Sequence, residues 1–332
     1  MSMKGKLGVY LSKIENESGE FEILQLFESS LDTVHPDQGE IPIKLLGFGE
    51  ISIVFEILTP ELKGLAFKRL PLFESEAQVT RHIKAYHEYY TLLTEKVGLV
   101  IPEQKSAWVY MNDEHTKIAL YCIQKKIPAE NVVSSMLSSI SAEKLKPIVA
   151  LILQEFKKIW QYNRNNTEMI EIGLDGQISN WAYFKTPTGN HIEYLDTSTP
   201  LFRKDGEEAM EVALFLKSAP SFLQWMLKSL ATEVVERYYN LRDVFIDLIA
   251  NFYKEQRSDL IPALISQINE FILEKIPELE ISPISEEEVV KYYKHDKFIW
   301  QLYLGLRRFD RFLKTKILRK KYDFYLPEKI KR

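Results

Sequence analysis

Apolar residues follow two different periods along the chain, and the change of period divides it into parts. Between Phe21 and Leu31 they recur every three to four positions, which predicts an amphipathic helix. From residue 41 to 124 the apolar runs are short and rich in β-branched residues. In this part the predicted elements are strands at 41–46, 51–58 and 65–70, a helix at 74–97, and strands at 106–111 and 117–124. This order predicts an antiparallel sheet with one helix.

Beyond residue 128 the periodicity is mostly helical. A helix at 145–162 is followed by a β-hairpin, whose strands at 178–184 and 191–195 flank a turn-rich connection. Further helices are predicted at 206–217, 220–254, 258–275, 286–294 and 296–320, the fourth preceded by a capping box of Ser285 and Glu288. We therefore expect an α+β protein with an N-terminal helical extension at 1–40, a small sheet lobe at 41–127 and a larger, mostly helical lobe at 128–332.

Composition and charge exclude several classes of protein. Cys122 is the only cysteine, so internal disulfides and multi-cysteine zinc sites are excluded. The 43 Lys and Arg residues against 47 Asp and Glu residues give a net charge of −4, too near neutrality for a general polyanion binder. No apolar run approaches the roughly 18–20 residues that span a bilayer. These features predict a soluble protein of a reducing, cytoplasmic compartment.

The first chemical signal is a glycine-rich turn between two predicted strands. Gly47, Gly49, Ser52 and Val54 form a G-x-G-x-x-S-x-V string, in which glycines let backbone N–H groups approach phosphate oxygens. A Rossmann loop would open a helix, whereas residues 51–57 are strand-like. The string therefore indicates either an ordinary turn or a phosphate-binding loop between strands.

A lysine and a glutamate follow this loop in an order that has a chemical meaning. Lys68 ends an apolar strand, where a cation is costly unless it is paired or directed at an anion. Glu88 lies among aromatic residues on the following helix and is the preferred carboxylate to hold Lys68, with Glu74 and Glu76 as earlier candidates.

With these pieces the chain resembles the protein-kinase-like superfamily, and it is similar to the small-molecule branch of aminoglycoside, choline and homoserine kinases as much as to protein kinases. The resemblance implies a two-lobed kinase-like fold with an ATP site between the lobes. It implies that the segment Ile123–Pro128, including Gln124, is the hinge whose backbone meets adenine.

The resemblance also predicts two acidic strings in the helical lobe. Asp175 and Asn180 have the D-x4-N spacing of a catalytic loop, and Asp196 stands where the second strand of the hairpin ends. In the roles carried over from the family, Asp175 orients the attacking hydroxyl, Asn180 and Asp196 hold Mg²⁺, and Lys68 neutralises phosphate charge.

Two departures from the family pattern leave alternatives open. The catalytic aspartate follows Gly173-Leu174 without the usual histidine, and Asp196 is followed by Thr197-Ser198 instead of Phe-Gly. The preferred function is transfer of the γ-phosphate of ATP to a small-molecule hydroxyl or amino acceptor, because no peptide-docking Ala-Pro-Glu segment follows Asp196. A nucleotide-binding scaffold without transfer activity is the main alternative, and nucleotidyl transfer would use the same residues.

The C-terminal part of the chain is strongly basic. From Arg307 to the end there are eleven Lys and Arg residues and three acidic ones, a net charge of +8 against −12 for the rest. This asymmetry is typical of contact with an anionic partner, such as a membrane surface or nucleic acid. A basic helix that packs on the protein's own acidic surface would explain it equally well.

Overall fold

The small lobe is a five-stranded antiparallel sheet in a computed structural model that describes residues 18–49, 51–218 and 224–326. The strand order is β1-β2-β3-β5-β4, so every strand pairs with a neighbour close in sequence. The bounds are β1 (Ile43–Phe48), β2 (Ile53–Ile57), β3 (Leu65–Phe73), β4 (Gln104–Tyr110) and β5 (Ile118–Lys125). The predicted sheet of residues 41–124 therefore forms with the predicted order of elements.

Two helices cover opposite faces of this sheet. Helix α1 (Ser18–Ser30) packs its Phe27 against Phe55 and Phe67 of the sheet. Helix α2 (Glu76–Thr91) packs on the opposite face, where Lys68, Leu70 and Cys122 point. Because successive side chains of a strand point to opposite faces, Lys68 and Arg69 of β3 lie on different sides of the sheet.

The larger lobe is mostly helical and contains the main apolar core. Its helices are α3 (Val133–Met136), α4 (Ala142–Asn165), α5 (Val212–Phe215), α6 (Gln224–Arg237), α7 (Leu241–Lys254), α8 (Ile261–Lys275) and α9 (Glu286–Phe312). Its strands are β6 (Ile170–Ile172), β7 (Trp181–Thr186), β8 (Gly189–Tyr194), β9 (Phe202–Lys204) and β10 (Glu207–Glu208). The α+β class, with a small antiparallel sheet and a larger helical part, is confirmed.

Several predicted helix bounds are wrong. The predicted helix at 206–217 begins instead with β10, which pairs with β9. The predicted helix at 220–254 is interrupted between α6 and α7, because the Asn240 side chain accepts the backbone N–H groups of Arg242 and Asp243 and caps a new helix. Residues 219–223 lie outside the described residues.

The last two predicted helices are one helix. Helix α9 runs through residue 295 without a break and continues as a wider turn over Leu313–Ile317. The predicted capping box is confirmed, since Ser285 accepts the Glu288 N–H and the Glu288 side chain accepts the Ser285 N–H.

Helix α9 and the segment after it connect the two lobes. Trp300 and Leu304 of α9, together with Tyr322 and Phe324, belong to the same apolar cluster as Leu70 of the sheet. The small lobe therefore uses residues from the far end of the chain to complete its core. No helix in the described part of the chain combines the length and the apolar character that crossing a bilayer requires.

Candidate active site

A cavity of about 710 Å³ lies between the sheet and the helical lobe. Its size is within the range of pockets that bind small molecules and nucleotides. All of the predicted site residues except Glu88 line it, namely Gly47, Gly49, Ser52, Val54, Lys68, Gln124, Asp175, Asn180 and Asp196. The fold therefore brings together residues that are up to about 150 positions apart in the sequence.

The glycine string forms the tight turn between β1 and β2. The Gly49 N–H donates to the Ser52 carbonyl at 3.0 Å. A Cβ atom on Gly49 would lie 2.9 Å from the Ser52 hydroxyl oxygen, whereas one on Gly47 would meet nothing within 4 Å. A side chain at Gly49 would therefore displace the Ser52 hydroxyl, and Gly47 leaves open space at the cavity wall.

Lys68 reaches across the cavity to the helical lobe. Its Nζ lies 2.8 Å from Oδ1 of Asp196, which stands two residues after the end of β8. The same oxygen accepts the Ser198 hydroxyl at 2.9 Å and the Ser198 N–H at 3.3 Å. Burial alone would raise the pKa of Asp196, but the attraction of Lys68 and these hydrogen bonds outweigh it and lower that pKa. Asp196 is therefore a carboxylate with one oxygen fixed by three donors.

Glu88 does not hold Lys68 in this structure. Within the described residues, the ion-pair partner of Lys68 is Asp196, and Glu88 makes no ion pair. The α2 side chain at the cavity wall is Tyr86, which also interacts with Thr197.

One side of helix α2 instead contacts the two loops that contain Asp175 and Asp196. Nε2 of His82 lies 3.1 Å from the Ser198 carbonyl, and the Tyr89 hydroxyl donates to the Gly173 carbonyl at 2.8 Å. Burial lowers the pKa of His82 to about 4, so the ring is neutral and its Nε2–H donates to that carbonyl. These two bonds anchor the chain next to Asp175 and Asp196.

Asp175 and Asn180 occupy neighbouring positions at the helical side of the cavity. The Asn180 amide nitrogen donates to the Asp175 carbonyl at 3.1 Å, and the Tyr194 hydroxyl donates to the same oxygen at 3.2 Å. The amide oxygen of Asn180 is therefore the atom that could ligate a cation. The Asp175 carboxylate accepts the Gln177 N–H at 3.2 Å, which fixes its orientation.

The electrostatics of Asp175 suit a group that accepts a proton. Burial, followed by repulsion from Asp247 and Asp196, raises the pKa of Asp175 well above the usual carboxylate range. Asp247 lies on α7 and is itself 7% exposed. Its pKa is also raised, mainly by burial. A strongly perturbed carboxyl group in a cavity is typical of functional sites.

Only part of the backbone of the predicted hinge is available for hydrogen bonds to an adenine base. Gln124 at the end of β5 lines the cavity, and so does Ile127. The Lys126 N–H donates to the Gly64 carbonyl at 2.8 Å, and its Nζ lies 2.7 Å from Glu56 Oε2. The Lys126 backbone donor is therefore used within the small lobe.

The sequence of this chain matches a protein family. Residues 32–311 match the model of a family of unknown function, DUF6206. The chain belongs to this family. The match begins before β1 and ends within α9, so it includes every residue that lines the cavity. A comparison with curated protein sequences gives no match.

Two solved structures are remotely similar to this member of the family. One is an amicoumacin kinase in complex with AMP-PNP, Ca²⁺ and Ami, with 10% identity, a TM-score of 0.31, and coverage of 77% of this chain and 94% of that chain. The other is WaaP in complex with acyl carrier protein, with 13% identity, a TM-score of 0.30, and coverage of 68% and 89%. Neither likeness is close enough to assign an activity.

The sequence reasoning missed the acidic residues that the helical lobe adds to this family member's cavity. Asp243 and Asp247 of α7 and Asp296 of α9 line it together with Tyr292. Lys254 Nζ lies 3.1 Å from Asp296 Oδ2 and 3.9 Å from Asp247 Oδ1. For Asp247 a signal was present, since it interrupts an otherwise apolar helical stretch, where a charge is costly without a purpose.

Proposed function

We propose that this protein is an ATP-dependent phosphotransferase that transfers the γ-phosphate to a hydroxyl or amino group of a small molecule. The observation that carries the proposal is the 2.8 Å ion pair between Lys68 and Asp196 in one cavity with the glycine turn and Asp175. This combination provides a cation for phosphate oxygens, an open backbone turn and a carboxylate that can accept a proton.

The donor set fits Mg²⁺ bound together with phosphates. Mg²⁺ prefers oxygen ligands and usually takes only one or two carboxylates, with phosphate and water completing the shell. Asp196 offers the oxygen that Lys68 does not occupy, and Asn180 offers its amide oxygen. The described residues contain no group of three or more His, Cys, Asp and Glu side chains that could hold a metal without a phosphate ligand. When bound, the metal would neutralise charge on the transferring phosphoryl group.

In the proposed reaction the protein positions two substrates and moves one proton. The acceptor oxygen or nitrogen forms a bond to the γ-phosphorus as the bond from that phosphorus to the β–γ bridging oxygen breaks. ADP leaves, and the acceptor proton passes to Asp175. Lys68 stabilises negative charge on the phosphates, and catalysis comes mainly from positioning and charge stabilisation.

The acidic end of the cavity suggests which acceptors to test. Asp243, Asp247 and Asp296 line the cavity together with Asp175 and Tyr292, and the cations Arg237 and Lys254 offset part of their charge. The three carboxylates outnumber these two cations, so the remaining negative charge disfavours anionic acceptors through like-charge repulsion. Amino alcohols and neutral polyols are therefore the first acceptors to screen, with hydroxy acids of the same size as matched comparisons.

We expect Mg-ATP to raise the melting temperature and the Lys68→Met variant to lose most of that shift. A ligand that binds only the folded state at 100 times its Kd adds about 2.7 kcal/mol of stability. Differential scanning fluorimetry with and without Mg-ATP measures the effect. Lys105→Met is the matched control, because Lys105 is an exposed lysine on strand β4 of the same sheet. No shift of the wild type with any nucleotide would overturn the proposal.

The pH dependence of turnover should report Asp175. Its carboxylate must be unprotonated to accept a proton, so kcat/KM should fall as pH drops through its raised pKa. Asp247→Asn removes a neighbouring negative charge and should move this fall to lower pH. The measurement is the pH profile of kcat/KM for the wild type, Asp247→Asn and the exposed control Asp259→Asn. An identical profile for all three proteins would show that another group is the base.

A scaffold without transfer activity would share the nucleotide-binding result. The two functions differ in what happens to ATP in the presence of acceptors. Release of ADP that depends on an acceptor and yields a phosphorylated product supports the enzyme. Tight Mg-ATP binding without product from any acceptor of the screen would favour the scaffold.

A further inference from the structure

Helix α9 has an inner and an outer face of different character. On the inner face, Ile299, Trp300 and Tyr303 line the cavity. On the outer face, Phe298, Phe309 and Phe312 are 63%, 47% and 53% exposed. Phe309 is eleven positions after Phe298 and three before Phe312. Residues with these spacings lie on the same side of a helix. Three exposed phenylalanines on one helix face are not explained by the cavity or the core.

The same face is cationic. Between Lys291 and Lys321 the chain has eleven Lys and Arg residues, of which Arg307 is buried, and only two acidic ones, Asp296 and Asp310. Both acidic residues are turned inward, because Asp296 lines the cavity and Asp310 is buried. Asp310 pairs with Lys314 at 2.8 Å, and no further carboxylate of the chain between Lys291 and Lys321 offsets the other cations on the exposed side of α9.

The segment that follows the helix continues this character. Ile317 and Leu318 are 60% and 58% exposed. Lys316, Arg319, Lys320 and Lys321 around them are also exposed. We call the whole set the α9 outer surface, which consists of Phe298, Phe309, Phe312, Lys316, Ile317, Leu318, Arg319, Lys320 and Lys321. Its phenylalanines lie on α9, and its aliphatic and cationic side chains lie in the turn beyond the helix and just after it.

We propose that the α9 outer surface binds the surface of an anionic lipid membrane. An amphipathic helix that presents Phe and Leu together with Lys and Arg lies in the headgroup region, with its apolar side chains a few ångströms below the phosphates. The cations interact with anionic headgroups, and each contributes on the order of 1 kcal/mol near such a surface. The chain lies on the membrane by this surface and does not span it.

Two other occupants fit the same surface less well. A nucleic acid would satisfy the cations, but it offers no apolar phase for Ile317 and Leu318. A second copy of the chain would cover the apolar side chains, but it would place one cationic surface against another, which is repulsive. An anionic membrane satisfies both the charges and the apolar side chains.

Vesicle flotation of the full-length protein tests the proposal without any nucleotide, so its outcome is independent of the proposed phosphotransferase function. The protein should float with vesicles of phosphatidylcholine and phosphatidylglycerol, and not with phosphatidylcholine alone. Lys320→Glu with Lys321→Glu should weaken binding by about 25-fold or more, since two cations are lost. Phe309→Ser with Phe312→Ser should weaken it by about tenfold or more, because less apolar surface enters the lipid.

Matched controls keep the test specific. Lys144→Glu with Lys146→Glu reverses two exposed charges on α4, and Leu273→Ser removes a 65% exposed apolar residue from α8. Both should bind vesicles like the wild type, and circular dichroism should show that every variant is folded. Equal flotation of all variants, or no flotation of the wild type, would refute the proposal.

Binding to a DNA or RNA oligonucleotide that is insensitive to the Phe substitutions would assign the surface to nucleic acid. A dimer in sedimentation that Phe309→Ser with Phe312→Ser dissolves would assign it to self-association.

Discussion

Asp175→Asn should reduce phosphoryl transfer by roughly 10²- to 10⁴-fold, the usual contribution of a positioned general base. The amide is close to isosteric with the carboxylate but does not accept the acceptor's proton. Because burial and the charges of Asp247 and Asp196 already disfavour the ionised form of Asp175, its loss should not weaken Mg-ATP binding. Mg-ATP binding should therefore change little, because the substitution removes little negative charge from a group whose ionised form is already disfavoured.

Two measurements separate this result from a loss of folding. Turnover is followed by ADP release with the best acceptor, and Mg-ATP binding is followed by calorimetry on the same preparations. Asp196→Asn is the contrasting variant, because it should lose both Mg-dependent binding and turnover. Asp259→Asn, on an exposed residue, should change neither. Full activity of Asp175→Asn would show that Asp175 is not the general base. Catalysis would then come from the positioning of the two substrates alone.

The sequence was sufficient to predict residues whose chemistry is unusual for their local surroundings. Lys68 in an apolar strand and the glycines of a turn between strands differ from what folding alone favours, whereas Asp175, Asn180 and Asp196 were predicted through the resemblance that these residues suggested. The structure brings these residues to one cavity. The strands of the small lobe and the hairpin are predictable from local sequence patterns. The order of the site residues along the chain therefore indicates which element holds each of them.

The prediction that Glu88 holds Lys68 is wrong, and it shows a limit of inference from neighbouring residues in the sequence. It placed Glu88 inward because its neighbours are aromatic, but adjacent residues of a helix do not share a face. The inward side of α2 contains Val79, His82, Ile83 and Tyr86, spaced by three and four positions. Glu88 is two positions beyond Tyr86, which rotates it about 200° around the helix at 3.6 residues per turn. The helical period of the sequence was sufficient to predict that Glu88 faces away from Tyr86. The contact of Lys68 with Asp196 was not predictable in this way, because it depends on tertiary packing.

Contacts between distant segments could not be predicted. Asp247 and Asp296 reach the cavity of Asp175 because α7 and α9 pack side by side, which no local pattern specifies. The continuity of α9 through residue 295 likewise follows from its packing against both lobes.

Glu28→Ala should lower the free energy of unfolding by about 3–5 kcal/mol, the typical cost of removing one partner of a buried ion pair. Glu28 of α1 accepts two hydrogen bonds from Arg69, at 2.7 Å from Nε and 2.6 Å from Nη2. Both side chains are 1% exposed. The Tyr121 hydroxyl also donates to Glu28, and Arg69 Nη1 donates to the Asp323 carbonyl at 2.8 Å. Without Glu28, the buried guanidinium loses the carboxylate that accepts two of its hydrogen bonds.

Chemical denaturation of matched variants identifies the cause of this loss. Glu22→Ala removes an exposed glutamate from the same helix and should change stability by less than about 0.5 kcal/mol. Glu28→Leu combined with Arg69→Met removes both charges and keeps the volume, so it should be less destabilising than Glu28→Ala alone. A double variant as unstable as Glu28→Ala would attribute the loss to packing of α1. Because Arg69 also binds the chain near its C-terminus, the ion pair holds both ends of the described chain to the sheet face opposite Lys68.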